Sequence, residues 1–229
     1  MNKLAILALT LLLFFGGTLW YLANSELNAN INARIIQVAE YYTEQKVDID
    51  KVQIDLKKGV GKIHGIKLYN PSGYQEKYTL KIEQLSFNFD PKGMNAKVIN
   101  INNLKLNGSR FYIESMSNSN KKKVTNFEDL YQLLNSKIAL IRDRKRQESE
   151  VFISSEKITL INSQIVSLLN TSSNKRTIEN SKKMLLKPVG GETGLPASLF
   201  GIEVLRKILE VSANLDLEKN NKHNNKPSH

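Results

Sequence analysis

The side chains best suited to chemistry in this sequence are scattered rather than grouped. His64 is the only histidine before the carboxyl-terminal tail, so a metal site would depend on carboxylates. Asp48, Asp50 and Asp55 alternate with apolar residues, but they lack the glycine and the terminal glutamate of a calcium loop. We therefore expect no metal site and no cofactor.

Two glycine-containing stretches were considered as phosphate sites. Gly61-Lys62-Ile63 lacks the Ser or Thr that follows lysine in a nucleotide-binding loop, and it joins two strands instead of opening a helix. The stretch at residues 190–194 precedes a helix, where it either holds an anion or simply turns the chain. No nucleophile and base are grouped, so we expect no catalytic residue and a protein that is not an enzyme.

Basic residues exceed acidic ones, 33 against 22, for a formal net charge of +11. Such an excess indicates an anionic partner. Nucleic acid is disfavoured, because aromatic residues do not interleave with the clusters and Lys outnumbers Arg. Anionic lipid headgroups fit better, and the residues we expect to contact them are Lys121, Lys122, Lys123, Arg142 and Arg144. The alternative is that these side chains only cover solvated faces.

An uninterrupted apolar run from Leu4 to Ala23 has twenty residues, which span ~30 Å as a helix. The run predicts a single-pass anchor in the lipid bilayer, with contacts from Leu4, Leu12, Phe15, Trp20 and Tyr21. Lys3 on the amino-terminal side predicts that this end lies in the cytoplasm and that the body is exported. A cleaved signal peptide is the rival interpretation. The absence of cysteine agrees with export but does not prove it.

A repeated pattern of apolar residues predicts the strands. Four segments share it, residues 49–54, 63–68, 82–87 and 101–106, and a fifth at 155–160 fits with a polar first position. A doubled polar pair in each repeat moves the apolar side chains to the opposite face unless a bulge restores them, so we expect a bent sheet. Short connections with type I turn residues, such as Asn70-Pro-Ser-Gly73, predict an antiparallel meander. Gly59 and Gly61 are expected to supply positive φ in the first turn.

Three amphipathic helices accompany the strands. They are expected at Leu27 to Thr43, at Asn126 to about Ile141 behind the capping box formed by Thr125 and Glu128, and from Pro196 onward. The predicted fold class is α+β, with an amino-terminal transmembrane helix and a curled antiparallel sheet packed with about three helices. The expected divisions are 1–25 for the anchor, 26–218 for the body and 219–229 for a disordered tail.

The order of these features resembles the AsmA-like family. The resemblance lies in the strand, glycine hairpin and Asn-Pro-x-Gly turn of residues 52–74, in residues 104–106 and 111–114, in Asn126 to Leu134, and in the return to a helix at residues 185–209. It covers roughly residues 28–217 and carries no active site. It implies a short family member that is anchored in the inner membrane of a Gram-negative envelope, with its body in the periplasm, and that acts in phospholipid transport or outer-membrane homeostasis.

Two functions were weighed from the residues. In the first, an uncovered face of the sheet forms a hydrophobic groove for phospholipid tails, lined by Ile54, Leu56, Leu68, Phe87, Phe89 and Leu106. In the second, the helices close the core, and an exposed sheet edge or basic loop binds another envelope protein as a non-enzymatic scaffold. The two differ in whether the sheet's apolar side chains are left uncovered.

Overall fold

The computed structural model describes residues 28–117, 123–142, 151–169 and 175–224. Helix α1 occupies residues 28–43. The strands and the two other helices follow in the order β1 Val47–Asp48, β2 Lys51–Asp55, β3 Val60–Tyr69, β4 Tyr78–Phe89, a 3-10 turn Pro91–Asn95, β5 Val98–Ser117, β6 Lys123–Thr125, α2 Asn126–Arg142, β7 Phe152–Ser155, β8 Ile158–Leu169, β9 Lys175–Leu186, β10 Leu195–Pro196 and α3 Ala197–Asn224. The repeats at residues 49–106 lie in or beside β2 to β5, and the fifth repeat spans the break between β7 and β8.

One sheet contains all ten described strands. Strands β1 and β2 both pair with β3, and antiparallel pairing continues from β3 to β4 and from β4 to β5. Beyond β5 the sheet continues with β7 and β8, and then with β9 beside β8 and β10 beside β7. The central strands of the sheet therefore lie between two borders. One border is formed by β1 and β2, and the other by β9 and β10.

The prediction of a wholly antiparallel sheet is wrong, because the sheet is mixed. Strand β5 pairs in parallel with β7, from Val98 opposite Phe152, and with β8, up to Ser115 opposite Leu169. The physical reason is the connection between them. Helix α2 returns the chain to the start of β5, and a strand that follows such a crossover enters the sheet parallel to the one before it.

The hydrophobic core lies between one face of the sheet and the three helices. Two apolar rows cross the sheet from β2 to β9, one through Phe87, Leu104 and Ile158 and the next through Leu85, Leu106 and Leu160. The helices pack their apolar side chains against these rows; the packing residues include Ile31, Ile35, Val38, Tyr42, Phe127, Leu130, Leu134, Ile138, Leu199, Ile202, Ile208 and Leu209. The amphipathic stripes predicted from sequence therefore face the sheet.

A crease crosses the sheet; in β3 and β4 it lies at the doubled polar residues of the repeats, whereas in β5 and β8 it lies beyond the repeats at residues 101–106 and 155–160. Gly65 in β3, Gly108 in β5 and Asn162 in β8 all have positive φ, between 53° and 66°. The strand register stays continuous on both sides of the crease, with Ile63 opposite Leu85 and Ile66 opposite Ile82. The backbone turn thus restores the apolar side chains to the helix-covered face without an inserted residue. A register shift, the bulge alternative of the sequence prediction, occurs instead at the doubled polar pair of residues 101–106, between Asn88 and Phe89 of the facing strand β4.

Three further expectations concern particular segments. No helix in the described ranges is long and apolar enough to cross a membrane, and the apolar run at Leu4 to Ala23 lies outside those ranges. The tail was expected to be disordered from Lys219, but α3 continues to Asn224. Gly59 has positive φ as expected, whereas Gly61 does not; its missing side chain makes room for the ring of Phe87.

Candidate functional site

The residues predicted to line a lipid groove lie mostly inside the closed core. Leu106 is 1% exposed and Leu68 is similarly buried, and both belong to the cluster packed between sheet and helices. Ile54 and Phe87 pack against that cluster, and Phe89 is buried beside Phe87 with ring centroids 6.4 Å apart. Leu56 alone among the six is exposed. The chain's own side chains occupy the space that an acyl chain would need.

The other predicted site residues fall largely outside the described structure. Leu4, Leu12, Phe15, Trp20 and Tyr21 do so, as do Lys121, Lys122 and Arg144. Lys123 begins β6 and Arg142 ends α2, so the backbone places them on these two elements. The structure therefore does not bring the proposed headgroup contacts together or separate them.

The border of the sheet at β1 and β2 is blocked by helix α1. The Asn28 side chain accepts a hydrogen bond from the backbone N–H of Ile54 at 3.0 Å. At the other end of the helix, Glu40 accepts one from the N–H of Val47, also at 3.0 Å. These are donors that a further strand would use, and the border is also interrupted between β1 and β2. Proteins protect exposed sheet edges in this way against unwanted strand pairing.

The opposite border is formed by the short strand β10, beside β7, and by β9, which runs for twelve residues without a break. Its pairing with β8 extends from Ile158 opposite Leu186 to Leu169 opposite Lys175. No second strand pairs with β9 among the described residues. A long, regular border of this kind presents backbone groups that can pair with an extended segment of another chain.

Two large apolar side chains of β9 are exposed on the face opposite the helices. Ile178 is 58% exposed and Leu185 is 63% exposed. Their neighbours on β8 are Val166 and Thr159, which are both buried. Ile178 therefore lies beside the buried side chain of Val166 but is itself exposed, because it is at the border of the sheet. Lys182 and Lys183 lie between Ile178 and Leu185 in the sequence, and both lysines are exposed.

The face of the sheet away from the helices is polar and charged. Lys67 donates to Asp50 at 2.7 Å, and this bond raises the pKa of the lysine. Arg110 lies 3.9 Å from Glu83, while Lys81 stacks on the ring of Tyr78. A shallow depression of about 320 Å³ lies between these charges and includes Gly65 and His64. Opposite charges are already paired there, so the depression offers no unbalanced charge to a ligand.

A loop between β3 and β4 covers the upper part of this face. The side chain of Glu114 is fully buried and accepts hydrogen bonds from the backbone N–H groups of Gln75 and Glu76, both at 2.8 Å. Glu76 also forms an ion pair of 3.2 Å with Arg176 of β9. The loop therefore extends across β5 and β8 as far as β9, where it contacts Arg176, two residues before Ile178.

Catalytic chemistry finds no support in this arrangement. Among residues 28–117, 123–142, 151–169 and 175–224, no group of three His, Cys, Asp or Glu side chains is placed to hold a metal ion. The ionisable pair with the shortest distance on the polar face, Tyr69 and Asp48 at 2.5 Å, sits on β3 and β1. That bond holds the pKa of Asp48 below its ordinary value. A carboxylate held this way is a poor base.

Comparison with protein-family models gives no match, and comparison with curated proteins gives no significant match. The likeness to AsmA-type proteins drawn from the sequence consequently stays a prediction. The geometric feature of the molecule that bears most on function is the contrast between the two borders of its sheet.

Strand β9 has only a weak signal in the sequence. Its segment, Lys175 to Leu186, contains Ile178 and then no apolar residue until Met184. A strand at the border of a sheet buries few side chains, so its apolar alternation is weak. The signal that the sequence does contain is a run of charged and polar residues followed by apolar ones. Such a run is typical of a border strand but not specific to it.

Proposed function

We propose that this protein is a non-enzymatic scaffold of a Gram-negative envelope that binds a partner protein along β9 and so contributes to outer-membrane assembly. The observation that carries the proposal is the contrast between the borders. One is capped by Asn28 and Glu40 of α1, whereas β9 extends for twelve residues and leaves Ile178 and Leu185 exposed.

The filled core favours this function over lipid transport. A groove for acyl chains requires apolar side chains that are open to a ligand, and Leu68 and Leu106 are packed against the protein's own helices. Replacing those contacts would forfeit roughly 1.5–3 kcal/mol for each large apolar side chain that lost its cover. Phospholipid homeostasis enters the proposal only through the partner.

Location in the periplasm, on the outer side of the inner membrane, belongs to the same proposal. It draws support from the resemblance to AsmA-type proteins, and the lack of cysteine is compatible with it. A carboxyl-terminal alkaline phosphatase fusion should be active and a fluorescent protein fusion dark. The reverse result would place the body in the cytoplasm and remove the envelope role.

Complementation of a deletion strain tests the function itself. Wild-type protein should restore resistance to detergent and to large antibiotics, while Ile178→Asp combined with Leu185→Asp should not. Leu140→Asp is the matched control, because Leu140 is equally exposed but lies on α2. Circular dichroism must first show that all variants fold. Full rescue by the double variant would contradict a role for β9, and an intact barrier in the deletion strain would contradict the envelope role.

A further inference from the structure

We infer that the partner contributes an acidic, extended segment that adds to the sheet as a strand beside β9. This inference rests on the proposed function and specifies the chemistry of the partner. Its basis is the charge of the border strand, the exposure of its apolar side chains and the regularity of its pairing with β8.

The charge of β9 selects the partner. Its sequence contains four basic residues and one acidic residue, Glu179. Because Arg176 is paired with Glu76, the positive charge offered to a partner comes chiefly from Lys182 and Lys183. Lys182 and Lys183 are exposed at the crease, and Lys187 follows the strand and is exposed as well. Opposite charges on neighbouring strands stabilise the pairing, whereas like charges directly opposite each other destabilise it. An acidic segment is therefore the complementary occupant.

A second copy of this chain is a poorer occupant. Pairing β9 with another β9 would bring the exposed Lys182 and Lys183 of both copies onto one ladder. The whole chain carries +11, so the repulsion would extend beyond the border. Net charge of one sign is a common device that keeps such borders from associating with themselves.

The apolar side chains define the spacing of the partner. Ile178 and Leu185 lie on the same face of the sheet, where their covered neighbours are Val166 and Thr159. A strand placed beside β9 would extend this face by one more column. Ile178 and Leu185 are seven residues apart and share one face because the crease lies between them. Side chains of a regular strand alternate between faces with a period of two, so the apolar positions of the partner must change phase once, opposite the crease, to contact both.

A peptide titration tests the inference on the whole protein. The probe is a peptide of the length of β9 that alternates glutamate with valine on both sides of one doubled glutamate, which gives the phase change at the crease, and it is labelled for fluorescence anisotropy. Two matched peptides accompany it: one has lysine in place of glutamate, and the other keeps every glutamate but has proline in place of valine. The proline peptide has the same charge but cannot pair as a strand, because proline lacks the N–H.

The expected result has three parts. The glutamate–valine peptide binds, the proline peptide binds at least about tenfold more weakly, and the lysine peptide does not bind. Lys182→Glu combined with Lys183→Glu weakens binding of the acidic peptide by about tenfold. The control, Lys62→Glu combined with Lys105→Glu, changes two exposed lysines at the middle of the polar face and should alter binding by less than about twofold. Hydrogen exchange of the β9 amides should slow in the complex.

Several outcomes would overturn the inference. Equal binding of the proline peptide would mean that charge alone attracts the ligand, and an equal loss in the control variant would mean that the whole face does so. No binding of the acidic peptide would remove the acidic strand as the partner. If cross-linking from Ile178 in cells still captures one protein, the proposed scaffold function survives; if that is lost too, both fail.

Discussion

Asn126 at the start of helix α2 donates a hydrogen bond of 2.8 Å to the side-chain oxygen of Asn70, fifty-six residues earlier in the chain. Asn70 also binds the backbone of Glu76 and Tyr78, and it accepts a bond from Thr79. The pair therefore fixes the loop that covers the upper polar face to the helix on the other side of the sheet. This connection sets the position of the loop next to β9.

Asn126→Ala should destabilise the protein by about 2–4 kcal/mol. Asn126 also accepts a bond from the backbone N–H of Glu114 and donates to the oxygen of Tyr112, so its loss leaves buried polar groups without partners. Urea denaturation followed by circular dichroism measures the change. The matched control is Asn88→Ala. The Asn88 side chain is exposed on β4, so its loss should alter stability by less than about 0.5 kcal/mol. Equal effects at both positions would contradict the role assigned to the pair.

Thr125→Ala should cost about 1 kcal/mol, because it removes one half of a capping box. Thr125 Oγ1 accepts from the N–H of Glu128 at 3.1 Å, and the Glu128 carboxylate accepts from the N–H of Thr125 at 2.8 Å. Thr193→Ala in an exposed turn is the control and should be close to neutral. A neutral Thr125→Ala would mean that packing alone fixes the start of α2.

Gly61→Ala and Gly201→Ala should change stability in opposite directions. A side chain at Gly61 would overlap the ring of Phe87, and overpacking of this kind costs about 1–3 kcal/mol. Gly201 lies in α3 with open space around it, so alanine there should stabilise the protein by about 0.5–1 kcal/mol. Combining Gly61→Ala with Phe87→Leu should recover part of the loss; further loss in the double variant would exclude the overlap as its cause.

Stability should fall in acid partly through Asp48. Its hydrogen bond from Tyr69 lowers the carboxyl pKa below the ordinary value of 3.8. Because the folded-state pKa is the lower one, the contribution is present above pH 3.8 and is lost as the pH falls through the folded-state pKa. Denaturation midpoints of wild type and Asp48→Asn, followed from about pH 6 to about pH 2, should converge at the acid end. Parallel curves would contradict this contribution.

The sequence predicted the local elements better than the way they combine. The repeats placed the apolar residues of β2 to β5, and Thr125 and Glu128 marked the start of α2, because short-range chemistry decides both. The parallel pairing of β5 with β8 depends on where a helix returns the chain, which neighbouring residues do not encode. The closure of the core over Leu68 and Leu106 depends likewise on how all three helices pack together.

The candidate site was outside the reach of sequence reasoning for a related reason. The border at β9 is defined by what does not pair with it among the described strands, and Ile178 alone breaks a polar run from Lys175 to Lys183. Dense charge clusters such as Lys121 to Lys123 can be recognised from the sequence alone. The lysines of β9 matter in this account because of the strand that carries them.

Photo-cross-linking in living cells tests the central claim most directly. A benzophenone side chain at Ile178 should yield one discrete protein adduct, while the same group at Lys62, exposed on the polar face, should yield none. Placed at Leu106, it should react only within the chain, because that position is filled by the core. A phospholipid adduct at Leu106, with no protein adduct at Ile178, would contradict the account and restore a lipid-binding interior.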